Sequence, residues 1–86
     1  MDINQLIQIV KKKISDKVIL ENIEVEDKTY LHANHKSHTI DRYHLKIIIS
    51  SKALNKLNKI ESTKTIYKIL EKEIKANIHS LQILFI

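Results

Sequence analysis

The chain has 86 residues, room for one domain at the usual ~100–200 residues each. It is 43% hydrophobic and 29% charged with a formal charge of +5, a globular rather than a disordered balance. Gly, Pro and Cys are all absent, which excludes phosphate-cradling Gly loops, a GXXG nucleic-acid clamp, disulfides, thiolate metal sites and a cysteine nucleophile.

The first predicted element is a helix. Ile3, Leu6, Ile7, Val10 and Ile14 fall at i, i+3, i+4, i+7 and i+11, an amphipathic stripe. Asp2 is placed to cap it, and Gln5 completes a capping-box pattern. Lys11, Lys12 and Lys13 read as its last turns, where positive charge suits the helix dipole. After Ser15 and Asp16 the period changes. Ile19, Ile23 and Val25 share one parity while Asn22, Glu24 and Glu26 share the other, which predicts a half-buried strand over Val18–Glu26. From Asp27 to Arg42 apolar residues are sparse and histidines abundant. That pattern is a long loop, and such loops in compact domains are usually functional or disordered. Tyr43–Ser50 (YHLKIIIS) is β-prone, with Leu45, Ile47 and Ile49 on one face.

Ser51–Leu57 reads as a short helical turn, and Ser62 as the cap of a longer helix running to about Lys75. Ile66, Ile69, Leu70 and Ile74 form the buried stripe of that helix. Asn77 stands where Gly would usually end a helix in left-handed geometry. A strand over Ile78–Phe85 closes the chain, Leu81, Ile83 and Phe85 alternating with Ser80 and Gln82. The expected order is α-β-β-α-α-β: a single α+β domain over residues 1–86, with helices on one face of a three-stranded mixed sheet. A helical connection between the second and third strands is what a right-handed crossover to a parallel strand requires.

Asp2 sits where a signal peptide would be positive, and Gln8 breaks the apolar stretch Leu6–Val10. No run approaches the ~18 apolar residues of a membrane span. The expectation is a cytoplasmic chain with no membrane association.

Two groups of residues are candidates for function. Four of the five histidines, His32, His35, His38 and His44, lie close together, and His79 begins the last strand. Imidazole is the commonest protein metal ligand, and a His-rich loop beside a His-bearing strand can bring several ring nitrogens to one ion, although the spacing is not that of a zinc helix. His79 also shares parity with the inward-facing Leu81 and Ile83, which equally fits a structural histidine. The second group is basic. Lys64, Lys68 and Lys72 recur every four residues, and Lys56 and Lys59 extend the surface. With a short helix followed by a longer one, these lysines fit a helix-turn-helix regulator that binds DNA. Against this, Glu71 and Glu73 interrupt the charge, and Lys, Ile and Asn, all A/T-rich in their codons, make up about two-fifths of the chain. Ser50, Ser51 and Ser62 lack a nucleophile elbow, and no carboxylate pair stands out, so an enzyme is not expected.

The element order, the segment YHLKIII (Tyr43–Ile49) and the ending NIHSLQI (Asn77–Ile83) together resemble the BolA family. In that family the second strand typically opens with His, an apolar or aromatic residue and a basic one, here His44, Leu45 and Lys46. The last strand follows an apolar-His-small-Leu pattern, matched by Ile78, His79, Ser80 and Leu81. The run IEVEDKTYLHANH fits the family's passage from an acidic strand end into a histidine-bearing loop. The resemblance covers nearly the whole chain.

It implies a class II KH-like fold and a non-enzymatic partner of monothiol glutaredoxins in iron–sulfur cluster handling and iron homeostasis. In such heterodimers a [2Fe–2S] cluster is shared. The glutaredoxin cysteine and glutathione supply thiolates, and the BolA-like chain supplies a C-terminal histidine and a second ligand from the loop between its first two strands. By resemblance these are His79 and His35, with His32 and His38 as neighbouring loop candidates. A chain without Cys belongs to the histidine type and holds no cluster alone, being a monomer or weak homodimer in isolation. Many relatives carry Phe-x-Gly where this chain has Leu54-Asn55-Lys56, and Arg-His-Arg where it has Ser62-Thr63-Lys64. These positions belong to the region proposed to touch DNA, so their loss weakens an inherited transcriptional role and leaves both implied ligands in place.

Overall fold

The computed structural model describes residues 1–29 and 42–86. Its first helix, α1 (Ile3–Lys17), starts where the sequence asks for it. The Asp2 carboxylate accepts the Gln5 N–H at 2.8 Å, and the Gln5 side chain accepts the Asp2 N–H at 3.1 Å. A cap of this kind stabilises a helix by about 1 kcal/mol. Leu6, Val10 and Ile14 of the stripe are buried. The helix runs on to Lys17, so Lys11, Lys12 and Lys13 lie within it rather than in its last turn, where Lys17 is the basic residue. That extension also shortens β1 (Asn22–Asp27) against the expected Val18–Glu26. Val18 closes α1 by donating its N–H to Ile14 O at 2.9 Å, and Ile19 is 78% exposed.

The other two strands, β2 (Tyr43–Ser50) and β3 (Ile78–Phe85), have the expected limits. Between them lie α2 (Lys52–Asn55), α3 (Lys59–Ile69) and α4 (Glu71–Ala76). The expected single helix from Ser62 to Lys75 is thus corrected at both ends of its description. It begins earlier, because Asn58 and not Ser62 is the cap, accepting the Glu61 N–H at 2.8 Å. Ser62 is instead buried inside α3 and donates its hydroxyl to Leu54 O at 2.7 Å, tying α3 to α2. The helix also kinks at Leu70 (φ −97°, ψ 16°). The hydrogen-bond ladder continues across the kink, from Leu70 N to Ile66 O and from Ile74 N to Leu70 O, and Leu70 is fully buried. Asn77 ends α4 at φ −130°, not in left-handed geometry. No described residue has a positive φ or a cis peptide bond.

The sheet has the order β1-β2-β3, with β1 antiparallel and β3 parallel to the central β2. Leu45, Ile47 and Ile49 of β2 are buried against Leu6, Val10 and Ile14 of α1 and against Leu54, Ile66 and Leu70 of the crossover helices. Ile23 and Val25 pair with Ile49 and Ile47, and Ile83 and Phe85 with Ile47 and Ile49, so each outer strand adds partly buried residues to the same core. All helices therefore lie on one face. The opposite face carries Glu24, Lys46, Ile48, Gln82 and Leu84. No helix among the described residues is long and apolar enough to cross a membrane.

Among the described residues the buried polar side chains are His44, Ser51, Ser62 and Glu73, and Glu73 is the carboxylate of this group. Glu73 of α4 is buried, and its Oε2 accepts from Lys13 Nζ of α1 at 2.7 Å. Its Oε1 has no partner among the described residues. A buried carboxylate with one oxygen unsatisfied depends heavily on its counter-ion. Lys13 is therefore a tertiary contact as well as a helix charge. Two stability predictions follow from these contacts. Ile47→Ala should lower the unfolding free energy by about 2–5 kcal/mol in urea, since it empties fully buried volume at the centre of the sheet. Lys13→Met should cost about 1–3 kcal/mol by stranding the carboxylate, and Lys13→Met with Glu73→Met should recover most of that loss. A double variant as unstable as the single one contradicts this account of the pair.

Candidate metal centre

The parallel pairing of β2 and β3 brings the beginnings of both strands to the same end of the sheet. Register there is irregular: Tyr43 pairs with Ile78, but His44 pairs with Ser80, so His79 is the extra residue of a bulge. A bulge re-aims side chains because it breaks the two-residue alternation. Ile78 is buried and Leu81 partly buried in the core, while His79 and Ser80 between them are both exposed. The parity expectation that His79 faces inward with Leu81 and Ile83 is overturned by this single inserted residue.

His44 is nearly buried, at 6% exposure. Its Nδ1 lies 2.6 Å from Ser80 Oγ, and its Nε2 lies 3.2 Å from His79 Nδ1. The two rings meet edge to face, with centroids 4.8 Å apart and planes at 73°. Ser80, His44 and His79 thus form one hydrogen-bonded chain running from the strand pair to the exposed imidazole.

The backbone under His44 is held by the two residues that follow β1. Its N–H donates to Thr29 Oγ1 at 3.1 Å, and its carbonyl accepts the Lys28 N–H at 2.7 Å. Thr29 is fixed in turn by Asp27, whose Oδ1 accepts both the Thr29 N–H, at 3.0 Å, and the Thr29 hydroxyl. On the other side Tyr43 N donates to Asn77 O at 2.8 Å, and Arg42 donates to Lys75 O at 3.0 Å, covering the C-terminal end of α4. Thr29 therefore lies directly beside His44.

Of the sequence candidates, the structure brings His44 and His79 together. His32, His35 and His38 lie outside the described residues. Among the described residues no three His, Asp or Glu side chains form a metal-binding group. What this end of the sheet offers a metal is an exposed imidazole whose inner nitrogen is already engaged, the arrangement in which a ligating histidine is oriented by a second group. The Ser80 contribution and the direct contact of His44 with His79 were not read from the sequence. The signal for them was present, because parallel pairing puts His44 beside the His79-Ser80 pair once β3 is known to start at Ile78.

The basic candidates are exposed but dispersed. Lys56 caps the end of α2, Lys59, Lys64 and Lys68 belong to α3, and Lys72 lies beyond the Leu70 kink in α4. The first helix of the helix-turn-helix reading is one turn long, four residues.

The family model for BolA-like proteins matches residues 14–85. In fold the chain is similar to the BolA domain of SufE1 from Arabidopsis thaliana, with a TM-score of 0.80 and 26% identity, covering 98% of this chain and 93% of that one. It is also similar to BolA1 from Arabidopsis thaliana, with a TM-score of 0.78 and 26% identity over 92% of this chain and 87% of that one. A bol-like protein from Babesia bovis shares the fold alone, with a TM-score of 0.72 at 11% identity over 93% and 81% of the two chains. No curated protein matches the sequence.

Proposed function

The chain belongs to the BolA-like family, and on that premise we propose that it is a non-enzymatic adaptor that pairs with a monothiol glutaredoxin and co-ligates a shared [2Fe–2S] cluster through His79 and His35. The observation that carries this reading is His79 itself. It is exposed at the bulge, with Nδ1 engaged by His44 and no hydrogen bond to Nε2 among the described residues. An outward imidazole nitrogen on a rigid strand is a ligand that a partner's cluster can reach without rearranging the core.

The donor set fits the group. This chain has no Cys, so thiolates come from the glutaredoxin and glutathione, and this side of the cluster is imidazole only. When bound, a cluster with imidazoles on one iron carries a raised reduction potential, as in Rieske centres. The second ligand, His35, lies six residues after Thr29, which is anchored to His44. The exposed lysines add a positive field suited to an acidic partner surface.

The experiment is cluster transfer followed by visible absorption and circular dichroism. Adding the chain to cluster-loaded glutaredoxin should change both spectra. His79→Ala should abolish the change, and His35→Ala should weaken or abolish it, with His32→Ala and His38→Ala close to wild type. If His79→Ala and His35→Ala both give the wild-type spectrum, the ligand assignment is wrong.

A further inference from the structure

His44 is a nearly buried histidine that the cluster-sharing reading leaves without a role, and it is bonded at both ring nitrogens. We propose that His44 is the positioning residue of the site: it takes the Nδ1–H of His79 and passes its own Nδ1–H to Ser80, so that His79 presents Nε2 outward to iron. This rests on the reading of His79 as a ligand.

The direction of the chain follows from imidazole chemistry. A neutral imidazole has one N–H and one bare nitrogen. With the Nε2 lone pair of His79 given to iron, its proton is on Nδ1, which lies 3.2 Å from His44 Nε2. His44 Nε2 must then accept, so the His44 proton is on Nδ1, 2.6 Å from Ser80 Oγ. Ser80 accepts, and its own O–H turns to solvent at an exposed position. Each link is a donor facing an acceptor, and none requires a charged ring. The chain ends on an anchored base, because the His44 backbone is bonded to Lys28 and Thr29, the two residues that follow β1. The bulge is what makes the contact: it inserts His79 between the residues that pair with Tyr43 and His44.

Substitution at His44 separates positioning from packing. His44→Phe fills a similar buried space without an acceptor, whereas His44→Gln keeps an acceptor oxygen. Ser80→Ala removes the far end of the chain at an exposed position, and far-ultraviolet circular dichroism checks that each variant is folded. On transfer from loaded glutaredoxin, His44→Phe should hold the shared cluster about 10- to 100-fold more weakly. It should also alter the nitrogen coupling seen by pulsed electron paramagnetic resonance of the reduced cluster. His44→Gln should stay near wild type, with Ser80→Ala between the two. A packing role gives the reverse order, Phe tolerated better than Gln with the nitrogen coupling unchanged, and overturns the proposal. Should His44→Phe not fold, Ser80→Ala and His44→Gln carry the comparison: a wild-type signal from Ser80→Ala overturns it. In the free chain, nitrogen–nitrogen scalar coupling between His79 and His44 is expected by nuclear magnetic resonance. Its absence overturns the proposal while leaving His79 a ligand. If wild type takes up no cluster, His79 is no ligand and the role given to His44 falls with it, even where that coupling is seen.

Discussion

The parallel pairing of β2 with β3 is the constraint on which the rest of this structure depends. Parallel strands cannot be joined by a tight turn, so the chain must cross from Ser50 back to Ile78, and α2, α3 and α4 are that crossing. Those helices, with α1, cover one face of a sheet whose central strand would otherwise expose Leu45, Ile47 and Ile49. The same pairing aligns the beginnings of both strands, and there the register slips by one residue. Core formation and histidine placement are thus two results of one pairing.

Polar side chains, rather than special backbone geometry, fix the connections. Ser51 accepts the Leu54 N–H and donates to Ile19 O, Ser62 donates to Leu54 O, and Asn58 caps α3. These bonds do at the turns of this chain what Gly and Pro do elsewhere. Thr29 and Asp27 serve the same purpose at the histidine end of the sheet, where β1 hands over to the His-rich stretch. Among the described residues the Lys13–Glu73 pair is the place where a carboxylate enters the interior, and it links the first helix to the last.

Much of this fold was legible in the sequence because its signals were local. The Asp2–Gln5 capping box and the limits of β2 and β3 needed only patterns within one element. What was not legible depended on contacts between elements. Ser62 and Asn58 are both good caps by type, and the choice between them is made by the Leu54 carbonyl, which takes the Ser62 hydroxyl into the interior. The kink at Leu70 has no Gly or Pro to announce it. For the site, His79 was found through its place in a motif, but its facing was misread, since one inserted residue inverts every parity argument upstream of it. Ser80, and the pairing of His44 with His79, emerged only when two distant segments were laid side by side.

One property of the backbone bears on how such a protein changes over generations. Since no described residue sits at positive φ, no described position requires the one residue that lacks a side chain. The described turns are open to any replacement that the surrounding polar bonds tolerate.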